Sequence, residues 1–140
     1  EIAGYAKEII DYIPEGLKFE PKDNPKWRVE DGKVITDQLK DKLLQPGESA
    51  TVEIILTWIN NKDNLGEKVN WAEINKDDNE YDSPDIDSTP GNNEKGEDDI
   101  DRAPVILSVV TGSAPTYITL AITSISMLAA GVVLIKKFVI

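Results

Sequence analysis

The sequence predicts a mostly β protein, an antiparallel β-sandwich that is followed by an acidic loop and a single transmembrane α-helix. Three observations lead to this prediction. Short apolar–polar alternations separated by turn residues run through the first half of the chain, which is typical of antiparallel strands. The stretch 75–104 loses this periodicity and is rich in acidic, Pro, Gly, Ser and Asn residues. The stretch 117–135 contains no charged residue.

The first predicted strand is Tyr5–Ile13, which stops at a Pro-Glu-Gly turn. Leu17 and Phe19 then alternate with charged neighbours, so they predict a second short strand. A hairpin is predicted over 27–36. Its centre is Asp31-Gly32, a pair that favours the tight turn in which both positions have positive φ.

The clearest strand is Ala50–Ile59, because alternate residues along it are apolar. One face should therefore be buried, and it consists of Val52, Ile54, Leu56 and Trp58. Shorter strands are predicted at 69–74 and 105–110. The three tryptophans are expected in the core, with a sugar-stacking surface as the alternative; they are Trp27, Trp58 and Trp71.

The uncharged stretch 117–135 predicts a membrane-spanning helix. A helix of 19 residues spans about 28 Å, close to the thickness of a hydrocarbon core. Tyr117 lies at one edge of the stretch, and Lys136 and Lys137 follow the other edge. Basic residues that flank a span favour the cytoplasm, so the N-terminal part is expected outside the cell. A buried core helix and a tail-anchored cytosolic domain are the alternatives.

The predicted organisation has five parts. They are a sandwich over 1–74 and 105–111, an acidic loop over 75–104, a linker over 112–116, a transmembrane helix over 117–135 and a cytoplasmic tail over 136–140. The chain begins with Glu1 and shows no signal peptide, so we expect it to be a piece of a longer exported protein.

Composition excludes several classes of function. The chain has no cysteine and no histidine, which removes disulfides, thiol nucleophiles, Cys/His zinc sites and Ser-His-Asp catalysis. The net charge of -11 disfavours binding to nucleic acid. No pair of carboxylates stands out as catalytic. The expected partners are membrane lipid, through the helix, and a host or cell-wall ligand of upstream domains.

The acidic loop is the densest cluster of candidate site residues, with 11 acids and one lysine between residues 77 and 101. Calcium prefers six to eight oxygen ligands, which alternate acidic residues can supply. The predicted calcium ligands are Asp85, Asp87, Thr89 and Glu97, with Asp82, Asp98 and Asp99 as further candidates. The fit to an EF-hand loop is poor, and a solvated loop without bound metal remains the alternative.

Two other possibilities concern covalent chemistry. A Lys–Asn isopeptide bond would need Lys7, Asn70 and Glu53 together in the core. A sortase signal has the right architecture before the apolar span, but its usual Leu-Pro pair is missing at Ser108-Val109. We therefore expect the helix to be retained.

Several stretches resemble a bacterial cell-surface repeat family, the domain of unknown function eleven. They are DYIPEGLKF, LLQPGESATVEIILTW, DSPDIDSTPGN and EDDID. The resemblance covers roughly residues 3–110 and implies an antiparallel immunoglobulin-like β-sandwich that is N-terminally truncated here. It also implies an exported stalk or adhesin-like role, without naming a ligand.

The predicted function is therefore that of a non-enzymatic, single-pass membrane protein of the cell surface. It would act as stalk and anchor for a larger exported region. One alternative is a calcium-dependent adhesin or binding module. Another is the anchor of a carbohydrate-active enzyme whose catalytic domain lies upstream.

Overall fold

The computed structural model describes residues 2–59, 61, 63–84 and 86–107, and the backbone of two short segments at 119–122 and 133–134. This part of the chain is mostly β, and the helix within these described residues is one turn of 3₁₀ helix at Pro21–Asp23. The strands are β1 Gly4–Tyr12, β2 Leu17–Phe19, β3 Arg28–Glu30, β4 Lys33–Thr36, β5 Ser49–Ala50, β6 Ile54–Trp58, β7 Gly66–Asn79, β8 Ile100–Leu107, β9 Thr119–Ile122 and β10 Val133–Leu134.

The larger sheet has five antiparallel strands in the order β3-β4-β1-β7-β8. The predicted hairpin is confirmed as β3 and β4, and its turn residues Asp31 and Gly32 have φ of 49° and 78°. Aspartate tolerates this left-handed conformation and glycine adopts it freely, which is why this pair closes the turn. β1 and β7, which lie far apart in sequence, form the centre of the sheet.

A second sheet has the order β2-β6-β9, and a parallel pair joins β5 to β10. The apolar residues of the two larger sheets belong to one core cluster. β1, β4 and β7 contribute from one side, and β2 and β6 contribute from the other. The predicted mostly β, antiparallel architecture is therefore confirmed for the described residues.

The predicted buried face of the central strand is confirmed. Val52, Ile54 and Leu56 are buried, and Trp58 is partly buried against the same cluster. Trp27 is also in the core, and its indole N–H donates to the carbonyl of Glu53 at 2.6 Å.

The prediction for the third tryptophan is wrong. Trp71 is half-buried away from the core cluster, and Lys95 lies over its ring at 5.0 Å from the centroid. Its position in β7 explains this. Ala72 and Ile74 take the core-facing positions, so Trp71, one residue before Ala72, lies on the opposite face of the strand.

The acidic loop is shorter than its predicted range of 75–104. β7 continues to Asn79 and β8 begins at Ile100, so only residues 80–99 connect the two strands. The polar end of β7 is extended because it pairs with the start of β1, from Gly4 opposite Asn79 to Ala6 opposite Asp77. We call residues 80–99 the acidic loop from here on.

Most of the predicted transmembrane stretch, 117–135, lies outside the described residues, as do Tyr117, Lys136 and Lys137. Two short backbone segments within it are described. Thr119–Ile122 pairs with β6, and Val133–Leu134 pairs with β5. A membrane helix over 117–135 requires both pairings to be released, and it stays a prediction. Within the described ranges, no helix is long and apolar enough to cross a bilayer.

Candidate functional site

The acidic loop folds back against β7. The N–H of Gly91 donates to the carbonyl of Ile74 at 3.1 Å, and the N–H of Ile74 donates to the carbonyl of Asp99 at 3.0 Å. Gly91 has a φ of 77°, and a Cβ there would lie 2.4 Å from the side-chain oxygen of Asn75. Only glycine allows the loop to approach the strand this closely. The described part of the loop is therefore packed on the sheet.

Of the four predicted calcium ligands, the structure brings two together. The backbone N–H of Thr89 donates to Oε2 of Glu97 at 3.0 Å, and the side-chain amide of Asn92 donates to the same oxygen at 3.0 Å. Glu97 thus braces the loop in this structure. Asp85 lies outside the described residues, and Asp87 is exposed.

An open acidic cavity of about 390 Å³ lies where β7 runs into the loop. Its acidic lining residues are Asp77, Asp78 and Asp82, and Thr89 lies on its wall. Asp78 forms an ion pair with Lys7 at 3.4 Å, so part of its charge is balanced. The fold therefore places Asp77, Asp78 and Asp82 around one cavity, which their positions in the sequence alone did not show.

A second group of acids is buried beneath the loop. Glu73 is fully buried on β7 and accepts a hydrogen bond from the hydroxyl of Tyr12. Both of its carboxylate oxygens also lie 3.1 Å from the backbone nitrogen of Asn93, which donates from the loop. Burial and the bond to Glu73 raise the pKa of Tyr12 above its usual range, so this hydroxyl stays protonated and keeps donating.

Asp99 directly precedes Ile100, which pairs with Glu73, and it is almost completely buried, with 1% of its surface exposed. Neither of its carboxylate oxygens has a hydrogen-bond partner. Burial, followed by the negative charges of Glu73, Glu97 and Asp98, raises the pKa of Asp99 to about 7. The nearby backbone N–H of Asp99 itself opposes this rise in pKa, and the net direction stays upward. A buried carboxylate without a donor or a counter-charge is costly, so Asp99 is the least satisfied acid of the group.

The same sheet balances another buried acid, Glu8 on β1, in the ordinary way. Arg28 and Lys76 both form ion pairs with this carboxylate, and Asn75 donates a hydrogen bond to it. Burial alone would raise the pKa of Glu8, but the hydrogen bonds from Asn75, Lys76 and Arg28 outweigh it and hold the pKa below its usual range. In the described structure no basic side chain forms an ion pair with Glu73 or Asp99.

Sequence reasoning missed Glu73 and Tyr12. Glu73 follows Ala72 in an alternating strand, so the pattern indicates a solvent-facing side chain. The loop covers that position instead. The missing information was the register between β1 and β7. It pairs Tyr12 with Trp71, which places the Tyr12 hydroxyl diagonally beside Glu73.

The residues considered for an isopeptide bond do not come together. Asn70 is buried and donates to Oδ2 of Asp11 at 2.8 Å. Lys7 instead contacts Asp78 and the carbonyl of Lys40. The isopeptide bond, which the sequence did not favour, is therefore not supported, because Lys7 and Asn70 have different partners in the described structure.

Within the described ranges, no three Asp or Glu side chains converge tightly enough to hold a metal ion by themselves. Comparisons with family models, curated proteins and solved structures gave no significant match. The resemblance to the surface repeat family stays a prediction.

Proposed function

We propose that the chain is an immunoglobulin-like β-sandwich module of a cell-surface protein, and that it works as stalk and anchor for a larger exported region. The proposal is for a non-enzymatic protein that a single helix over 117–135 holds in the cell membrane. The observation that carries it is the order of parts along the chain. A β module with one core precedes an uncharged stretch, and two lysines follow that stretch.

The buried polar side chains support a mechanical role, because they tie separate parts of the backbone together. The side chain of Asn24 donates to the carbonyl of Ile55 at 2.9 Å and accepts from its N–H at 2.6 Å. Asn64 donates to the carbonyls of Gly16 and Ile59 at 2.6 Å and 2.8 Å. Such cross-links hold loops to strands, which a stalk needs to resist extension.

The test compares the full chain with a version that ends at residue 116, both exported from a bacterial host. The anchor hypothesis predicts that the full chain stays with membranes after alkaline extraction and that the shortened chain appears in the medium, folded. The control replaces Lys136 and Lys137 with glutamate, which should disturb orientation while leaving membrane association intact.

The shortened chain also tests whether the stretch 117–135 is a membrane helix or contributes a strand to the fold. If 117–135 is a membrane helix, the module ending at residue 116 should unfold at the temperature of the full chain. A strongly destabilised shortened chain would mean that the pairing of Thr119–Ile122 with β6 is part of the fold. A full chain that alkaline extraction releases would contradict the anchor.

A further inference from the structure

A row of buried side chains crosses the larger sheet beneath the acidic loop. The strand register places Ile35, Ile10, Glu73 and Ile100 opposite one another on β4, β1, β7 and β8. All four are buried, with 0% to 5% of their surface exposed, yet none of them belongs to the core cluster. Ile74, which follows Glu73, does belong to that cluster, so the row lies on the opposite face of the sheet.

The acidic loop covers this row at Glu73. The backbone N–H of Asn93 donates to both carboxylate oxygens of Glu73, each at 3.1 Å. The N–H of Gly91 donates to the carbonyl of Ile74 at 3.1 Å. Residues 91–99 therefore lie across the row, and we call them the strap.

Asp99 ends the strap, and its side chain is the costliest part of it when ionised. Its carbonyl accepts from the N–H of Ile74 at 3.0 Å, which holds the end of the strap to β7. Its side chain is 1% exposed, and neither carboxylate oxygen has a hydrogen-bond partner among the described residues. The next residue, Ile100, pairs with Glu73, so the strap buries two acids near each other. Two buried carboxylates without a counter-charge are costly to ionise together.

We propose that the strap is a pH-sensitive latch, which is closed over the buried row while Asp99 is protonated and released when Asp99 ionises. Protonation removes the second charge beside Glu73. Ionisation favours a position in water, and a side chain that moves there pulls its own carbonyl away from Ile74. Burial and then the charge of Glu73 raise the pKa of Asp99 to about 7, which puts the change near neutral pH. The latch does not depend on the proposed stalk role.

The acids and the hydroxyl that face Asp99 do not balance its charge. Glu97 and Asp98 in the loop are negative, and they add to the rise in the pKa of Asp99. Tyr12 on β1 donates its hydroxyl hydrogen to Glu73. Burial and that hydrogen bond raise the pKa of Tyr12 above its usual range, so it stays neutral.

The bases of the strap and of β8 are directed elsewhere. Lys95 on the strap and Arg102 on β8 lie over the ring of Trp71, at 5.0 Å and 6.0 Å from its centroid. Neither forms an ion pair with Asp99 in the described structure. A proton is therefore the means by which the closed strap removes the charge of Asp99.

Release should follow pH in one direction. The closed strap keeps a proton on Asp99 up to a pKa of about 7, whereas the released strap loses it near the ordinary value of 3.8. The closed form therefore has its full advantage at about pH 4, loses it as pH rises to about 7, and changes little above that. Between about pH 5 and about pH 8 we expect the ratio of closed to released strap to fall by at least about tenfold.

The experiment is amide hydrogen exchange, followed by NMR on the full chain in detergent at about pH 5 and about pH 8. Results are expressed as protection factors, because the intrinsic exchange rate also depends on pH. The reporters are the amides of Ile74, Gly91 and Asn93, which bond between the strap and β7. The amide of Ile55 donates to Oδ1 of Asn24 at 2.6 Å in the other sheet, so it reports on unfolding of the whole module.

The wild-type protection factors of the three reporters should fall by at least about tenfold from the lower to the higher pH, while that of Ile55 stays constant. Asp99→Asn and Asp99→Ala remove the group that ionises, so either variant should lose this fall. Glu94→Gln changes an exposed acid of the same loop and should keep the wild-type response. Gly91→Ala should give the released signal at both pH values, because its Cβ would lie 2.4 Å from the side-chain oxygen of Asn75.

Wild-type reporters whose protection factors do not change with pH would overturn the latch. A full wild-type response in Asp99→Asn and Asp99→Ala would overturn the role of Asp99. An equal loss of protection at Ile55 would mean that the whole module unfolds, which would also overturn local release of the strap.

Discussion

Asp99→Asn should stabilise the protein, and the gain should depend on pH. The native pKa of Asp99 is raised to about 7 from an ordinary value of 3.8. Between these two values the native state holds a proton that the unfolded chain has lost. The contribution of Asp99 to the stability of wild type therefore falls as pH rises from about 4 to about 7, and it levels off above that range.

The size of the effect follows from the shift. Each pKa unit corresponds to about 1.4 kcal/mol, so a shift of roughly three units gives an upper limit of about 4 kcal/mol. Asparagine has nearly the shape of the protonated acid and never ionises. At pH 4 we expect the two proteins to be equally stable. At pH 8 we expect the variant to be more stable by about 2 to 4 kcal/mol, since some relaxation of the loop reduces the limit.

The assay is urea unfolding at pH steps from 4 to 8, with Glu94→Gln as the control. The groups that face Asp99 are Glu73 on β7 and Glu97 and Asp98 in the loop, with Tyr12 on β1 nearby. These groups are present in both proteins, so the difference in unfolding free energy between wild type and Asp99→Asn reports on Asp99. A difference that stays flat from pH 4 to 8 would refute the reasoning.

Three further substitutions test the fold by chemical denaturation. Leu56→Ala, at a fully buried core position, should cost about 2–5 kcal/mol, whereas Ile106→Ala at a 75% exposed position should cost under about 0.5 kcal/mol; equal losses would contradict the core. Glu8→Gln should lower the unfolding free energy by about 1–3 kcal/mol at pH 7. The loss should shrink as pH falls below the ordinary glutamate pKa, because the pKa of Glu8 is lowered in the folded protein. A loss of unfolding free energy that does not change with pH would count against the ion pairs of Glu8. Gly91→Ala should destabilise by about 1–3 kcal/mol more than Gly32→Ala, since both have positive φ but only Gly91 meets a side-chain oxygen at 2.4 Å; matching losses would mean that the loop does not approach β7.

Local signals in the sequence predicted local structure well. The Asp31-Gly32 turn specifies its hairpin because the two residues supply the backbone conformation that the turn needs. The alternation from Val52 to Trp58 predicted the buried face because one side of the strand packs on the core. Neither depends on a distant part of the chain.

Features that depend on distant pairing were not predictable in this way. The end of β7, Asn75–Asn79, has polar residues of low strand propensity, and its pairing with the start of β1 makes it a strand. The buried acids follow from the same pairing. Glu97 and Thr89 are close in sequence and were predicted together. Asp99 lies near Glu73 because β8 begins at the next residue, Ile100, which pairs with Glu73 on β7.

The most direct test of the central claim is protease treatment of intact cells followed by mass spectrometry of the membrane fraction. The account predicts that peptides from the β module, residues 5–107, disappear, while peptides from 117–140 remain with the membrane. It also predicts that they include sequence beyond Gly112, because the tail is not exchanged by a sortase. Survival of acidic-loop peptides on intact cells, or a mature chain that ends at Thr111, would contradict it.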